Sequence, residues 1–246
     1  MTCGRRSGEG YIAGVDGCRA GWIVVLRPRD VGRPYVARVV ASFADVLALP
    51  EAPQAIAVDM PIGLPDRTGP GGRLADVEAR SRLGGRQSAV FAVPARAAVM
   101  EREYRAACAV ALLHSDPPRK VAKQTFNIFA KIREVDALMT PELQQRVVEC
   151  HPEVAFWAMR GAALDEPKKV KSRPYEPGLA LRRDLLEQAG FPKCFVCDVP
   201  AGAGADDLLD ACACAWTAGR YLDGVAMRFP AEPQCDALGL RQEILA

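Results

Sequence analysis

Two aspartates stand at the ends of short apolar segments near the start of the chain. Asp16 follows the apolar residues 12–15, and Asp59 follows the apolar residues 55–58. Short apolar runs of this kind predict buried strands. Because a carboxylate at the end of a buried strand costs free energy unless a partner compensates its charge, both aspartates are candidates for a functional site.

Three further carboxylates extend this pattern. Glu149 lies in another predicted strand, residues 146–150, and Asp207 and Asp210 lie three residues apart at the start of an alanine-rich segment. If that segment is a helix, Asp207 and Asp210 share one face. A plainer interpretation of these two acids is a negatively charged first turn that complements the helix dipole, and the sequence leaves both interpretations open.

Brought together, these five carboxylates would repel one another, and divalent cations would relieve the repulsion. Carboxylate oxygens suit Mg²⁺ or Mn²⁺, so the predicted metal ligands are Asp16, Asp59, Glu149, Asp207 and Asp210. Two ions about 3.5–4 Å apart would clamp a scissile phosphate, one orienting water and the other stabilising the leaving oxygen. These five residues, together with His151 as a candidate proton carrier, form the predicted catalytic set of a metal-dependent nuclease.

Basic and hydroxyl side chains in the middle of the chain are candidates for phosphate contacts. Gly84 and Gly85 allow a close backbone approach, and the arginine fork suits phosphate oxygens. The predicted substrate-binding residues are Arg86, Ser88, Arg96, Lys123 and Lys131. The alternative for this basic region is a solvated, salt-bridged surface. A second basic run at residues 168–173 ranks lower, since charge runs in loops usually only solvate the chain. The expected partner is nucleic acid or a nucleotide.

The composition is typical of a soluble globular protein. Half of the 246 residues are hydrophobic and the net charge is +2, which is too small to indicate a nucleic-acid binder. No apolar segment reaches the length of about 18 residues that a membrane span requires. Residues 1–9 are predicted to form a flexible lead rather than a signal peptide. The nine cysteines are irregularly spaced, which favours a cytoplasmic location. Cys194 and Cys197 have no second ligand pair for zinc nearby, so buried thiols are the expectation.

The order of predicted elements indicates an α/β fold. Strands are predicted at residues 11–16, 22–26, 33–41, 55–59 and 146–150. Tight links between the first three predict an antiparallel meander, and a helix at 43–49, capped by Ser42, then leads to a parallel fourth strand. This order predicts an RNase H-like mixed five-stranded sheet flanked by helices, in a single domain over residues 10–246.

Residues 62–145 are predicted to form a helical, basic insertion after the fourth strand. Its helices include 95–113 and 123–139, the second being clearly amphipathic because apolar residues recur at three- and four-residue steps. Residues 165–177 predict a polar loop, residues 206–222 the last long helix, and residues 227–230 a short strand or loop.

A series of motifs occurs in the order found in a known family. They are Gly-Val-Asp-Gly-Cys-Arg-Ala-Gly-Trp at 14–22, Val-Asp-Met-Pro-Ile-Gly-Leu at 58–64, Arg73-x-x-Asp76-x-x-x-Arg80, the segment 83–96, Lys123-Gln124, Lys131-Ile132-x-Glu134-x-Asp136, Glu149-x-His151-Pro152-Glu153-x-x-Phe156 and Asp206-Asp207-x-x-Asp210-Ala211. Over about residues 12–240 the chain resembles the predicted RNase H-like nucleases catalogued as domain-of-unknown-function family 429. The resemblance implies an RNase H-like fold and metal-dependent nucleolysis.

The carboxylates are also similar to those of RuvC-type junction resolvases, whose last helix likewise carries two acids three residues apart. That resemblance implies a four-carboxylate set made of Asp16, Asp59, Asp207 and Asp210. Glu149, with Glu153 and His151, lies in a motif that the RuvC-type enzymes do not share. It would supplement the metal site or bind substrate.

Two other classes of function stay open. Sugar kinases and actin-like ATPases share this fold family, and their first strand also ends in an acid and a glycine turn that touches phosphate, as Asp16 and Gly17 would. Those proteins usually need a second, duplicated domain, for which 246 residues leave little room. A non-catalytic nucleic-acid or nucleotide-binding regulatory domain is the other class, although idle buried acids would destabilise it.

Overall fold

The main sheet has five strands in the order β3-β2-β1-β4-β5. In the computed structural model, which describes residues 10–171 and 173–246, these strands are β1 (Tyr11–Cys18), β2 (Gly21–Pro28), β3 (Val36–Val40), β4 (Ile56–Val58) and β5 (Val147–Glu149). Strand β2 pairs antiparallel with β1 and β3, whereas β1 and β4 are parallel. The predicted α/β fold with a mixed five-stranded sheet flanked by helices is therefore confirmed. The N-terminal lead predicted for residues 1–9 lies outside the described residues.

The helices and the remaining strands complete the described chain. The helices are α1 (Phe43–Leu47), α2 (Leu74–Ser81), α3 (Arg96–Val99), α4 (Tyr104–Leu113), α5 (Lys123–Asn127), α6 (Phe129–Asp136), α7 (Pro152–Arg160), α8 (Glu176–Gln188) and α9 (Ala205–Leu222). Two short hairpins are formed by β6 (Lys169–Val170) with β7 (Arg173–Pro174) and by β8 (Arg228–Cys235) with β9 (Arg241–Leu245). None of the described helices has the length and apolar character that crossing a membrane requires.

The chain forms two compact units. The first unit comprises the residues up to Asp59 together with Glu166–Ala226, and the second comprises Met60–Asp165 together with Met227–Ala246. The helical insertion predicted over 62–145 falls within the second unit. That residues 10–246 form one domain stays a prediction.

In the first unit, local capping and aromatic packing build the meander and its helix. The Ser42 hydroxyl accepts the N–H of Asp45 at 3.1 Å, and the Asp45 carboxylate accepts the N–H of Ser42 at 2.9 Å. This reciprocal cap satisfies two backbone donors and confirms Ser42 as the N-cap of α1. The next residue, Phe43, packs on Trp22 of β2 with ring centroids 5.2 Å apart, and both side chains are fully buried.

The second unit has its own apolar core. It consists of Ala75, Ala79, Leu83, Val90, Val154, Phe229, Ile244 and Ala246. These residues come from α2, α7 and the hairpin β8–β9, with Ala246 directly after β9 and with Leu83 and Val90 flanking a short turn. Segments distant in the sequence thus share the apolar surface that stabilises this unit.

Two helices predicted as continuous are interrupted in the second unit. The predicted helix at 95–113 is divided into α3 and α4, because Arg133 donates to the carbonyls of Val99 and Glu101 at 2.8 and 2.9 Å. These side-chain bonds replace the next helical turn at the end of α3. The predicted helix at 123–139 is likewise divided into α5 and α6. Both predictions of a continuous helix were wrong, since apolar periodicity runs on across each break and does not reveal it.

The two hairpins differ from the sequence expectation in a similar way. Strands β6 and β7 lie inside the predicted polar loop at 165–177, and each has two residues, too few to show a periodic pattern. Strand β8 extends well beyond the predicted short strand or loop at 227–230. It contains Pro230 and Pro233, which weaken a strand pattern in the sequence.

Candidate metal centre

Asp16 and Asp59 lie side by side because of the register between two parallel strands. Val15 of β1 pairs with Val58 of β4, and the N–H of Asp59 donates to the carbonyl of Val15 at 2.9 Å. The next residue of each strand is therefore an aspartate at the same end of the sheet. Equivalent positions of neighbouring strands point to the same face, so the register brings the two carboxylates together.

Asp210 reaches the same place because helix α9 lies directly against β1. A Cβ added to Gly14 would lie 2.0 Å from the carbonyl oxygen of Ala211 and 2.1 Å from the backbone nitrogen of Ala215. Only a glycine on the strand permits such a close approach of two backbones. Gly14 and Asp16 share a face of β1. Because Asp210 directly precedes Ala211, the contact places Asp210 beside Asp16.

Asp16, Asp59 and Asp210 form what we call the acid triad. One carboxylate oxygen of each residue lies within 4.8 Å of the other two. Asp16 is 8% exposed and Asp210 is 2% exposed, while Asp59 is half-buried. Oxygens around an octahedral Mg²⁺ ion at about 2.1 Å lie roughly 3–4 Å from one another. With a small contraction, the acid triad therefore fits a single divalent cation, and its donors are the hard oxygens that such a cation prefers.

Burial and mutual repulsion disfavour the ionised form of Asp16. Burial is the largest cause that raises the pKa of Asp16 well above its ordinary value of 3.8, and the carboxylates of Asp59 and Asp210 raise it further. The ammonium of Lys168 opposes this rise, and the N–H of Gly17 donates to Asp16 Oδ1 at 2.6 Å. Three carboxylates thus share one ammonium group, and a divalent cation would balance the negative charge that remains.

Lys168 is a basic residue at the acid triad that the sequence does not single out. Its ammonium forms an ion pair with Asp210. Burial lowers the pKa of Lys168, but attraction to the three carboxylates, that of Asp210 first, outweighs burial and raises it above its ordinary value. The sequence ranks the basic run at 168–173 below the segment at 86–96. Nothing in the spacing of that run marks one lysine as different from its neighbours.

The backbone before Lys168 is anchored on helix α8. The guanidinium of the buried Arg182 donates to the carbonyl of Glu166 at 3.1 Å. A Cβ added to Gly178 would lie 1.9 Å from the carbonyl oxygen of the residue that precedes Lys168, so this segment lies directly on the helix. Lys168 therefore approaches the acid triad from a fixed backbone, with 27% of its side chain exposed.

The other acids of α9 have partners at the start of the helix. Asp207 accepts the N–H of Gly204 at 2.9 Å, and Asp206 forms an ion pair with Lys169 at 2.5 Å. Burial raises the pKa of Asp207, and the Gly204 hydrogen bond opposes that rise. Asp207 thus accepts a backbone hydrogen bond in the first turn of the helix, and the acids of this turn complement the helix dipole. Its predicted roles as a metal ligand and catalytic residue stay predictions.

Glu149 belongs to a buried ion-pair cluster in the second unit, the Arg73 cluster, made of Arg73, Asp76 and Glu149. Arg73 donates to the two carboxylate oxygens of Glu149 at 2.6 and 2.8 Å, and the N–H of Ile62 donates at 2.7 Å. Burial raises the pKa of Glu149 to about 7, and Arg73 opposes the rise. A cation of the chain thus already pairs with Glu149. Its predicted roles as a metal ligand and catalytic residue stay predictions.

His151 and the predicted phosphate contacts nearest to it also lie in the second unit. His151 is the N-cap of α7, and its Nε2 lies 3.2 Å from the carbonyl oxygen of Ala89. Glu153, which is 4% exposed, forms an ion pair with Arg86 at 3.3 Å. Ser88, on the same turn as Arg86, is exposed. The catalytic role of His151 and the substrate contacts of Arg86 and Ser88 stay predictions.

The remaining predicted substrate contacts are distributed over α3, α5 and α6. Arg96 forms ion pairs with Asp136 and Asp236, so two carboxylates of the second unit already engage its guanidinium. Lys123 is exposed, and its ammonium lies 4.4 Å from the centroid of a tyrosine ring. Lys131 is half-buried. The substrate contacts of these three residues stay predictions.

The cysteines separate into buried and exposed groups. Cys212 and Cys214 are buried in α9, as expected. Cys194 and Cys197 are exposed, so the expectation of buried thiols is wrong for this pair. The reason is the short turn between them, which buries Val196 and leaves the flanking cysteines outside. Over residues 10–171 and 173–246, no cysteine is joined in a disulfide.

Comparison with known proteins gives a family but no characterised relative. The family model described as "Protein of unknown function (DUF429)" matches residues 14–235. This span contains all three members of the acid triad and Lys168. Comparison with curated proteins found no match, and comparison with solved structures found none either.

Proposed function

The chain belongs to the DUF429 family of proteins of unknown function, and from its acid triad we propose that it is a metal-dependent nuclease that hydrolyses phosphodiester bonds in nucleic acid. The observation that supports this proposal best is the convergence of Asp16, Asp59 and Asp210, whose oxygens lie within 4.8 Å of one another. The proposed cofactor is Mg²⁺ or Mn²⁺, and the proposed partner is a nucleic acid or nucleotide substrate.

The acid triad and Lys168, all in the first unit, would have different roles in such a site. A divalent ion held there would polarise a phosphoryl oxygen and promote the ionisation of water. Asp16 and Asp210 are buried and would hold the ion from the strand and from the helix, while the half-buried Asp59 leaves one side accessible. The ammonium of Lys168 adds a fixed positive charge that favours an anionic substrate.

One contact favours the nuclease proposal over an ATP-dependent phosphotransferase. In the latter, the glycine turn after Asp16 would contact phosphate through its backbone. The N–H of Gly17 donates instead to Asp16 Oδ1 at 2.6 Å. Gly17 belongs to strand β1, and its N–H thus holds a carboxylate of the acid triad in place, as a cation site requires.

A cleavage assay tests the proposed function. The purified chain is incubated with end-labelled single-stranded DNA, duplex DNA, RNA and ATP, with Mg²⁺ or Mn²⁺ and with EDTA. We expect cleavage of at least one nucleic acid with either metal and none with EDTA. Asp210→Asn should slow cleavage by about a thousandfold, because a lost metal ligand removes much of the charge stabilisation at the phosphate.

Asp206→Asn is the matched control for this assay. Asp206 lies on the same helix and pairs with Lys169, so its loss should leave cleavage within about threefold of the wild type. Phosphate release from ATP that survives Asp210→Asn would support the phosphotransferase instead. Tight binding of an oligonucleotide without cleavage would support a non-catalytic regulatory domain.

The proposal includes a cytoplasmic location. Cys194, Cys197 and Cys235 are exposed, and the described part of the chain holds its cysteines outside disulfides. A reducing compartment maintains exposed thiols in this state. Cell fractionation followed by immunodetection of the chain checks the location, and recovery in an oxidising compartment would contradict it.

A further inference from the structure

Lys168 changes the charge balance of the acid triad. Three ionised carboxylates carry three negative charges, and the ammonium that pairs with Asp210 cancels one of them. Two negative charges remain, and one divalent cation would balance them. Two divalent cations would instead leave the buried site with a net positive charge of two, and uncompensated charge of either sign is costly in a desolvated site.

We propose that Lys168 serves as the second cation of this site, so that the acid triad binds one divalent ion rather than two. This inference rests on the proposed metal-dependent function and specifies it. It departs from the two-ion arrangement that the sequence predicts. In place of a second ion, the chain supplies an ammonium group that stays when the metal leaves.

The position of Lys168 supports this role in two ways. The segment before it is held on α8 by Arg182 and by the close contact at Gly178. Its ammonium is therefore already positioned at the acid triad before a metal ion binds. It also interacts electrostatically with all three members of the acid triad. An ordinary surface lysine pairs with one carboxylate and contributes little.

Lys169 provides an internal comparison at the next position. Its ammonium pairs with Asp206 at 2.5 Å, and 44% of its side chain is exposed, against 27% for Lys168. Asp206 lies outside the acid triad. The two neighbouring lysines therefore face different acids of one helix, and one of them serves as a control for the other.

Mn²⁺ binding to the full chain, measured by isothermal titration calorimetry and by electron paramagnetic resonance of free Mn²⁺, tests the proposal. We expect one ion per wild-type chain. Lys168→Met should lower the Kd for Mn²⁺ at least tenfold, because a positive charge beside the ligands is removed. Lys169→Met should leave the Kd within about twofold. Circular dichroism and thermal melts establish that each variant is folded.

The outcomes separate this inference from the proposed function. Two ions per wild-type chain would overturn the role of Lys168 and leave the metal-dependent function standing, and this measurement does not require that any variant folds. An equal Kd in Lys168→Met and Lys169→Met would also overturn it. If the wild type binds no Mn²⁺ at millimolar concentration, both proposals fail.

The rate of cleavage provides a second test, because a lysine with only a structural role would not change it in the way expected here. At saturating Mn²⁺, Lys168→Met should bind the metal more tightly yet cleave at least tenfold more slowly, because the second positive charge is missing. Lys168→Arg keeps the charge and should restore a substantial part of the rate. Wild-type cleavage by Lys168→Met would show that the ammonium is not the second cation.

Discussion

The acid triad and the Arg73 cluster are both buried groups of carboxylates, but their charges are balanced differently. In the second unit, Asp76 and Glu149 share one guanidinium, and backbone N–H groups of Ile62 and Val93 complete their hydrogen bonds. In the first unit, three aspartates share the ammonium of Lys168. In the Arg73 cluster, groups of the chain itself thus balance nearly all of the negative charge, whereas the acid triad keeps an excess of negative charge.

This difference separates a structural role from a functional one. A buried ion pair whose hydrogen bonds are all formed is costly to break. Its carboxylates already have a cation and gain little from binding another. Three carboxylates that share a single ammonium group are instead poised to accept a cation. Buried acids by themselves do not identify a metal site, and the number of compensating groups around them is what distinguishes the two cases.

Breaking the Arg73 cluster should have the largest effect. Arg73→Met removes the guanidinium, whose side chain is fully buried, and leaves Asp76 and Glu149 without their cation. We expect a loss of about 3–5 kcal/mol in the free energy of unfolding, measured by urea denaturation. Lys169→Met, which removes an exposed ion pair, should cost less than about 1 kcal/mol. Equal losses in the two variants would contradict the structural role of Arg73.

Divalent metal should stabilise the protein through the acid triad alone. With Mn²⁺ at about 100 times its Kd, the free energy of unfolding should rise by about 2.7 kcal/mol, seen as a higher Tm in a thermal melt. Asp210→Asn should abolish the rise. Glu149→Gln should keep it, because the Glu149 carboxylate is held by Arg73. Loss of the rise in Glu149→Gln would identify Glu149 as the metal ligand that the sequence predicts.

Neutralising one acid in each group should change the stability of the metal-free protein in opposite directions. Asp76→Asn should cost about 2 kcal/mol, since Asp76 accepts hydrogen bonds from both the guanidinium and the backbone of Arg73. Asp16→Asn should stabilise the protein by about 1 kcal/mol, because it relieves repulsion. Urea denaturation in EDTA measures both changes. A loss in Asp16→Asn would mean that Lys168 already balances the acid triad.

The pH dependence of stability should reverse when metal binds. The pKa of Asp16 is higher in the folded chain than its ordinary value of 3.8, so the folded state holds more protons between these two values. The free energy of unfolding of the metal-free protein should therefore fall as the pH rises from about 4 through the folded pKa. With Mn²⁺ the slope should have the opposite sign, because the ion binds the ionised carboxylates. Thermal melts from pH 4 to 8 check this.

Asp16→Asn is the control for the pH measurement. It should flatten the part of the metal-free slope that Asp16 contributes. An unchanged slope in this variant would assign the effect to other carboxylates. The measurement requires melts in several buffers.

The candidate site was predictable from the sequence to the extent that its residues end regular elements. Asp16 and Asp59 follow apolar runs, and Asp210 lies near the start of an alanine-rich helix. Lys168 gave no such signal, because it precedes a two-residue strand in a polar segment. The break between α3 and α4 was missed for a related reason, since nothing in the local pattern records the contact that the distant Arg133 makes there.

The local sequence pattern determined which elements form and which acids lie at their ends, because the periodicity of a strand or helix depends on residues close together in the sequence. The tertiary structure decided how those acids are compensated. The guanidinium that pairs with Glu149 comes from 76 positions away, and the ammonium that pairs with Asp210 from 42. Charge acts through space rather than along the chain. Whether a carboxylate is neutralised or left to bind a cation therefore depends on which distant segments the packing brings beside it.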